Sequence, residues 1–364
     1  MRIIQIMPEF GLAGAEIMCE SLMYELKKMG NEVYAVSLYD YHSAITERLE
    51  HSGIKVFYLN KTPGLDIGII RKLTHLFKVY HPDVVHTHRY VMKYVLPAAK
   101  ITKIEKIVHT VHNVAEKENF KRDRFFYHMG YKVGGVIPVA LSEEVRDTVL
   151  KVYGLKKKDV PIVYNGINLK KYRKKTDYSF GNEIKLLHIG RFAEAKNHKN
   201  LIKIFKKLSK EFDTLKLYLI GEGPFEQNIR KQVKDLKLEN KVIFVGTTDQ
   251  ISQYLYSSDI FVLPSLFEGM PMTLIEAMAS ALPIVTTCVG GITSMLTHNV
   301  EGLLSEPDNE KIYHNIKKML IDESLRKKCG LNALKKSSLF SSEMMAKQYL
   351  EIYSGIVISN KYCI

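Results

Sequence analysis

Two glutamates eight positions apart stand in the passage Pro264-Ser265-Leu266-Phe267-Glu268-Gly269-Met270-Pro271-Met272-Thr273-Leu274-Ile275-Glu276. The pattern predicts Glu268 in the loop after a strand Ile260–Leu263 and Glu276 in the first turn of the following helix, so both carboxylates reach one ligand at that helix start. A carboxylate beside an apolar turn at the carboxyl edge of a sheet suits recognition of hydroxyl groups. Gly269 permits close backbone approach, and Pro271 leaves the amides of Gly269 and Met270 free to point outward. Glu276 has a second reading, because Thr273-Leu274-Ile275-Glu276 also fits a capping box.

Cations gather elsewhere. Gly190-Arg191-Phe192-Ala193-Glu194-Ala195-Lys196-Asn197-His198 follows a predicted strand and opens a helix. Arg191, Lys196 and the helix amides suit a diphosphate leaving group, whose charge grows as its bond breaks. Taken alone, Lys196 is one more solvated lysine. Nearer the amino terminus, Pro8-Glu9-Phe10-Gly11-Leu12-Ala13-Gly14-Ala15-Glu16 links a strand to a helix, a pattern that by itself is a tight turn. His112, in Thr110-Val111-His112-Asn113, ends another strand and is one of thirteen histidines. His86 and His88 follow a strand too, and no role is assigned to them.

The elements that position these groups alternate. Strands are predicted at Ile3–Met7, Glu32–Leu38, Lys55–Tyr58, Val84–His86, Lys106–Thr110, Gly135–Val139 and Pro161–Val163, with amphipathic helices between the early ones. The polar passage Lys170-Lys171-Tyr172-Arg173-Lys174-Lys175 breaks the rhythm, which then restarts with strands Lys185–Ile189, Lys216–Ile220, Val242–Val245 and Ile260–Leu263. We therefore expect an α/β protein of two Rossmann-like domains facing across a cleft, 1–168 and 169–340, with 341–364 a last helix returning to the first domain. Past Asn309 the pattern is helical to about Tyr353.

Several ordered motifs resemble those of one family. Glu268, seven intervening residues and Glu276, after a Pro-Ser turn, resemble the EX7E motif of GT-B glycosyltransferases, and more particularly the large retaining family numbered four. The resemblance implies that Glu268 lies by the donor sugar and that Glu276 bonds the nucleotide ribose. Gly190 to Asn197 resembles the Gly-Arg…Lys-Gly donor-phosphate motif, with Asn197 in place of the second glycine. The loop ending Ala13-Gly14-Ala15-Glu16 resembles the family's Gly-Gly-Ala-Glu, which brings the amides at Gly14 near the diphosphate, and His112 matches the histidine beside the donor sugar. Gly221-Glu222-Gly223-Pro224 resembles a Gly-x-Gly-Pro turn near the nucleotide, and its lack of a third glycine disfavours a nicotinamide site. Val289-Gly290-Gly291-Ile292-Thr293-Ser294 resembles the Gly-Gly-x-Pro-Glu segment without its proline and glutamate, and carries no role here.

What the resemblance implies is a retaining, hexosyl-type transfer from a nucleotide-sugar, a UDP-sugar by expectation, to a sugar or lipid-linked acceptor in cell-surface polysaccharide or glycolipid synthesis. The nucleotide-sugar is a co-substrate; no cofactor is expected. The chain contains no Asp-x-Asp pair, which favours a metal-independent mechanism. Two other readings stay open: a non-hydrolysing nucleotide-sugar epimerase, and a non-catalytic module for anionic ligands or nucleic acid.

Composition narrows the field. The 364 residues carry 53 basic and 39 acidic side chains, a formal charge of +14 divided evenly between residues 1–170 and the remainder, so there is no basic tail. Such a field favours phosphorylated small molecules or an anionic membrane surface. The mixed cations and aromatics of Lys117 to Tyr127 fit a membrane surface, and equally a core-facing aromatic helix with a basic outer face. Nucleic acid is disfavoured for want of a recognisable motif. Cys19, Cys288, Cys329 and Cys363 stand alone, without zinc-like spacing. The apolar start is too short for a signal peptide, so the expected location is the cytoplasm, peripheral to the inner face of the plasma membrane. The uncharged stretch Ala277 to Val300 is interrupted by Pro283, Gly290 and Gly291 and is not expected to span a bilayer.

Overall fold

Short runs of β-branched and aliphatic residues become parallel strands here because both faces of each strand are covered. The computed structural model describes residues 1–118 and 123–355. Residues 119–122 of the basic-aromatic passage, and Cys363, lie outside the described residues. Met1–Gly166 together with the segment from Ser342 onward form one compact unit, and Ile167–Ser341 form a second.

The first unit holds β1 (Arg2–Met7), β2 (Glu32–Ser37), β3 (Lys55–Tyr58), β4 (Val84–His88), β5 (Ile107–Val111) and β6 (Val136–Ala140) in the order β3-β2-β1-β4-β5-β6. Every pairing is parallel. Ile3, Ile4, Ile6, Met7, Val84 and Val85 are fully buried, each worth about 1.5–3 kcal/mol of apolar burial. The exceptions are polar: Gln5, His86, Thr87, His88, His109 and Thr110 lie equally deep in β1, β4 and β5. Helix Ser342–Tyr353 packs in this unit against helix Gly14–Lys28, with the Ser342 hydroxyl donating to Glu25 at 3.1 Å.

The second unit repeats the plan. Its strands are β7 (Ile184–Ile189), β8 (Leu215–Ile220), β9 (Val242–Gly246), β10 (Ile260–Leu263), β11 (Ile284–Thr287) and β12 (Leu303–Ser305), in the order β12-β11-β10-β7-β8-β9. Helix His198–Leu208 shows how the helices attach: Leu201, Ile202, Phe205 and Leu208 are buried, while Lys199, Lys203 and Lys207 face water, a 3.6-residue stripe.

Two strand expectations change, and the helical stretch expected after Asn309 is present. Pro161–Val163 is not a strand; Ile162 makes a single bridge to Ala140, and the proline lacks the amide that a longer ladder needs. The stretch after Asn309 is three helices, Asn309–Ile321, Glu323–Ser337 and Ser342–Tyr353, the first two started by the side chains of Asp308 and Asp322 accepting from the amides of Lys311 and Leu325. β4 also continues beyond His86 to His88. The uncharged stretch is divided into a helix end, β11, a glycine turn and the short helix Ile292–Met295. Among the described residues no helix is long and apolar enough to cross a membrane.

Candidate active site

In an open parallel sheet, the carboxyl ends of the two strands where the order reverses diverge into loops on opposite sides and leave a crevice for a ligand. In the second unit that point lies between β7 and β10. The loop after β7 carries Gly190 to Lys196, and the loop after β10 carries Ser265 to Pro271.

These loops are tied by backbone and side chain. The Leu266 amide donates to the Ala195 carbonyl at 2.7 Å, and the Asn197 side-chain amide donates to the Pro264 carbonyl at 3.1 Å. Asn197 sits at φ +56°, a left-handed conformation that asparagine tolerates better than most non-glycine residues. It thus keeps the backbone shape of a glycine and adds a tether. A third loop braces from β11: Gly290 has φ +58°, and a Cβ there would stand 1.8 Å from the Glu268 carbonyl oxygen, while the Gly291 amide donates to the Gly269 carbonyl at 2.8 Å. The Gly221-x-Gly223 turn packs on the first loop in the same manner, since a Cβ on Gly223 would lie 2.5 Å from the Phe192 carbonyl oxygen.

On this frame the charges meet. The Lys196 ammonium donates to Glu268 Oε1 at 2.6 Å, with side chains only 17% and 10% exposed, and the Ser265 hydroxyl donates to the same oxygen at 2.6 Å. Gly269, Met270 and Pro271 are buried beside them. Arg191 is exposed, and among the described residues no hydrogen bond or ion pair is made by its guanidinium. A groove of about 940 Å³ between helices His198–Leu208 and Glu226–Asp235 is lined by Lys199, Lys203, Phe225, Lys231 and Leu266, and by neither glutamate. This groove lies beside the charged groups, whereas their convergence at the switch point is what can bind and polarise a ligand.

Glu276 is the fifth residue of helix Met272–Ala279, beyond its first turn. The capping-box reading fails, because the N-cap is Pro271 and the Thr273 hydroxyl has no partner. Glu276 instead accepts from the Tyr172 hydroxyl at 2.9 Å. Burial pushes its carboxyl up to about 7, against the lowering effect of that hydrogen bond, and burial first, then the contact with Glu276, raises the Tyr172 phenol.

In the first unit the order reverses between β1 and β4. Gly14 opens helix Gly14–Lys28 with Ala13 at the N-cap and no side-chain cap, so no side chain occupies the first amides. Arg89, directly after β4, adopts φ +56° and reaches the buried Glu16 at 2.5 Å. Burial raises the Glu16 carboxyl even beside this guanidinium. His112 follows β5, half-buried, with Nε2 3.0 Å from His88 Nδ1. Burial holds its imidazole well below the usual histidine range, so it is neutral at physiological pH.

The structure thus brings Lys196 and Glu268 together, holds Glu276 separately through Tyr172, leaves Arg191 exposed, and places Gly14 and His112 in the other unit. Ser265, Tyr172 and the Arg89–Glu16 pair were not singled out from the sequence. Ser265 stood inside the quoted Pro-Ser turn. Tyr172 lies in the charged passage read as a boundary, where nothing in composition marks a partner for a glutamate more than a hundred residues away.

Comparison with known proteins agrees with this architecture. The profile of the family described as Glycosyl transferases group 1 matches residues 170–336, and that of Glycosyltransferase Family 4 matches 12–171. The chain belongs to the group 1, family 4 glycosyltransferases, GT-B enzymes that use nucleotide-sugar donors. It is 27% identical over 378 residues to the N-acetyl-alpha-D-glucosaminyl L-malate synthase of Bacillus anthracis, covering 96% of each chain. It is 29% identical over 245 residues, 66% of each, to the N-acetylgalactosamine-N,N'-diacetylbacillosaminyl-diphospho-undecaprenol 4-alpha-N-acetylgalactosaminyltransferase of Campylobacter jejuni. Among solved structures, Anabaena Alr3699/HepE in complex with UDP-glucose superposes with a TM-score of 0.84 at 19% identity, over 97% of this chain and 99% of that one.

Two outcomes test the geometry. Gly290→Ala must displace the Glu268 loop, so we expect turnover to fall about a hundredfold, as misplacement near 1 Å does, while circular dichroism shows both sheets retained. The raised Glu276 carboxyl binds its proton more tightly folded than unfolded, so its contribution to stability is full below pH 4.5 and lost as pH rises through about 7. Glu276→Gln should therefore stabilise the protein at pH 8 by of order 1–3 kcal/mol and by nothing at pH 4.5, read by denaturant unfolding at both pH values.

Proposed function

We propose that this enzyme transfers a hexosyl group from a UDP-sugar to an acceptor hydroxyl, with retention of configuration and without a divalent metal. The observation that carries this reading is the contact between Lys196 and Glu268 at the switch point of the second unit. Glu268 Oε1 already accepts from both Lys196 and Ser265, which draws charge from the carboxylate and weakens it as a nucleophile. Its other oxygen is left to accept from a sugar hydroxyl. Glu268 then positions the sugar, Lys196 turns one of its three protons toward the diphosphate, and Arg191 closes on the phosphate from solvent.

As the sugar–phosphate bond breaks, charge grows on the departing oxygen and the two cations stabilise it, which replaces what a metal would supply. That oxygen takes the proton of the acceptor hydroxyl as the acceptor attacks from the same face. Glu276 accepts from the ribose, and Gly269, Met270 and Pro271 form the wall of the donor site. For the first unit, the resemblance assigns the amides at Gly14 to the diphosphate and His112 to the reacting sugar. UDP is favoured because the Anabaena neighbour holds UDP-glucose.

The acceptor we infer is lipid-linked, within cell-surface polysaccharide or glycolipid synthesis; the name of the Campylobacter relative gives that protein a diphospho-undecaprenol acceptor. On helix Arg124–Lys132 and just beyond it, Phe125 is 65%, Phe126 37%, Met129 39% and Val133 74% exposed. Aromatic and aliphatic side chains beside Arg124 and Lys132 suit the headgroup boundary of an anionic bilayer, at the inner face of the plasma membrane.

Thermal shift with UDP-, GDP- and ADP-sugars should show stabilisation by UDP-sugars, through preferential binding to the native state. Glu268→Gln should lower UDP release with acceptor by about 10²–10³-fold, and product NMR should show the donor's anomeric configuration. Full activity in Glu268→Ala, loss of turnover on adding EDTA, a trapped glycosyl-enzyme, or an isomerised sugar nucleotide from donor alone would each overturn this reading. For the membrane, Phe125→Ser with Phe126→Ser should abolish co-sedimentation with phosphatidylglycerol vesicles while leaving UDP-sugar binding intact; unchanged sedimentation rejects the surface.

A further inference from the structure

Six polar side chains in the middle of buried parallel strands need explaining, since each costs about 1–3 kcal/mol unless paired. Several of them form one chain of hydrogen bonds that ends at His112. His112 Nε2 lies 3.0 Å from His88 Nδ1, and His88 Nε2 lies 2.8 Å from Gln5 Oε1. Gln5 Nε2 donates to the Tyr353 hydroxyl at 3.3 Å, which is 2.6 Å from His86 Nδ1. His86 Nε2 is 2.7 Å from the Thr110 hydroxyl, itself 2.6 Å from that of Tyr349.

The orientation of Gln5 sets the direction of the links that run from it to His112. Its oxygen lies 2.8 Å from His88 Nε2 and 3.9 Å from the Cys19 thiol, which is itself 3.5 Å from His88 Nε2; the short contact is the one between Gln5 and His88, a carbonyl there accepts from both neighbours, and a thiol is a poor acceptor for an amide group turned the other way. Burial raises the Cys19 thiol, so it stays a donor, and lowers His88 to about 3, so that imidazole is neutral with one donor and one acceptor. His88 therefore carries its proton on Nε2 and presents a bare Nδ1. The bond to His112 then requires the proton of His112 to sit on Nε2. No hydrogen bond among the described residues engages His112 Nδ1.

We propose that Gln5 is the positioning residue that holds His112 in its Nε2-protonated tautomer, leaving the Nδ1 lone pair for a hydroxyl of the substrate, and that Tyr353 holds Gln5 in the orientation this requires. The inference rests on the reading that His112 contacts the reacting sugar. An imidazole whose tautomer is imposed by a partner acts as a defined acceptor; with the other tautomer it would meet the same hydroxyl as a donor. A chain serving only to satisfy buried groups would leave the His112 tautomer without effect on turnover.

The test is imidazole ¹⁵N NMR of the full-length protein, with His112 assigned by difference from His112→Gln, alongside UDP release from UDP-glucose, UDP-galactose or UDP-N-acetylglucosamine, whichever turns over fastest. In the wild type we expect protonated Nε2 and bare Nδ1 on His112. Gln5→Leu removes the acceptor for His88, whose proton should move to Nδ1 and drive that of His112 to Nδ1, with kcat lowered about ten- to a hundredfold and the donor KM changed by less than about threefold. Gln5→Glu keeps an acceptor oxygen and should restore the wild-type tautomer. Protonated Nδ1 in the wild type, or an unmoved tautomer in Gln5→Leu, overturns the positioning role while leaving the contact of His112 with the sugar standing. An inverted tautomer with unchanged turnover overturns both. Should Gln5→Leu not fold, the wild-type spectrum and Tyr353→Phe, in which a released Gln5 should yield a mixture of tautomers, decide the matter.

Discussion

A lysine and a glutamate in hydrogen-bond contact at the carboxyl edge of a parallel sheet are costly to hold, because both are largely withdrawn from water and, among the described residues, neither has a second ion-pair partner. The surrounding backbone reflects that cost. Three loops from β7, β10 and β11 converge on the pair, one pinned by the Asn197 side chain, another by the absence of a side chain at Gly290. Either loop moving by an ångström would separate the charges. The ion pair and its frame are therefore one device, in which the sheet supplies rigidity and the loops supply polarity. A ligand that brings its own negative charge and its own hydroxyls finds both complements already oriented.

The first unit places polar groups differently. Its strands bury Gln5, three histidines and two threonines where aliphatic residues would pack at least as well. Pairing along such a chain offsets the desolvation penalty and also transmits a choice, since turning Gln5 over reverses the links to His88 and His112. The half-buried member is His112, at the end of β5. Arg89, in a left-handed conformation that a non-glycine residue adopts at some expense, is kept there by its contact with Glu16.

Much of this architecture was legible in the amino-acid order. Runs such as Ile3-Ile4-Gln5-Ile6-Met7 and Ile260-Phe261-Val262-Leu263 announce strands covered on both faces, and their alternation with lysine-edged helices leads to two parallel sheets. Pro161–Val163 misled because a β-branched run resembles a strand whether or not its amides can join a ladder. Thr273 and Glu276 have the spacing of a capping box, yet Pro271 starts the helix two residues earlier, and spacing carries no information about which residue is first. The chemistry of Glu268 was visible from its neighbours in sequence. The partners of Glu276, Gln5 and His86 were not, because Tyr172, Tyr349 and Tyr353 reach them across 100 residues or more, and a tyrosine's hydroxyl partner is decided by tertiary packing alone.

Helix Ser342–Tyr353 belongs to the same compact body as Met1–Gly166, although the whole of the second unit is threaded between them. On a ribosome, the strands of the first unit emerge long before the helix that completes them. Until residue 353 leaves the exit tunnel, His86, Thr110 and Gln5 lack the phenols that satisfy them, so that sheet must wait, partly hydrated, while the later-born unit closes around its own core. At ~5–20 residues per second this interval lasts of the order of ten seconds or more. The part of the enzyme made first is thus finished last.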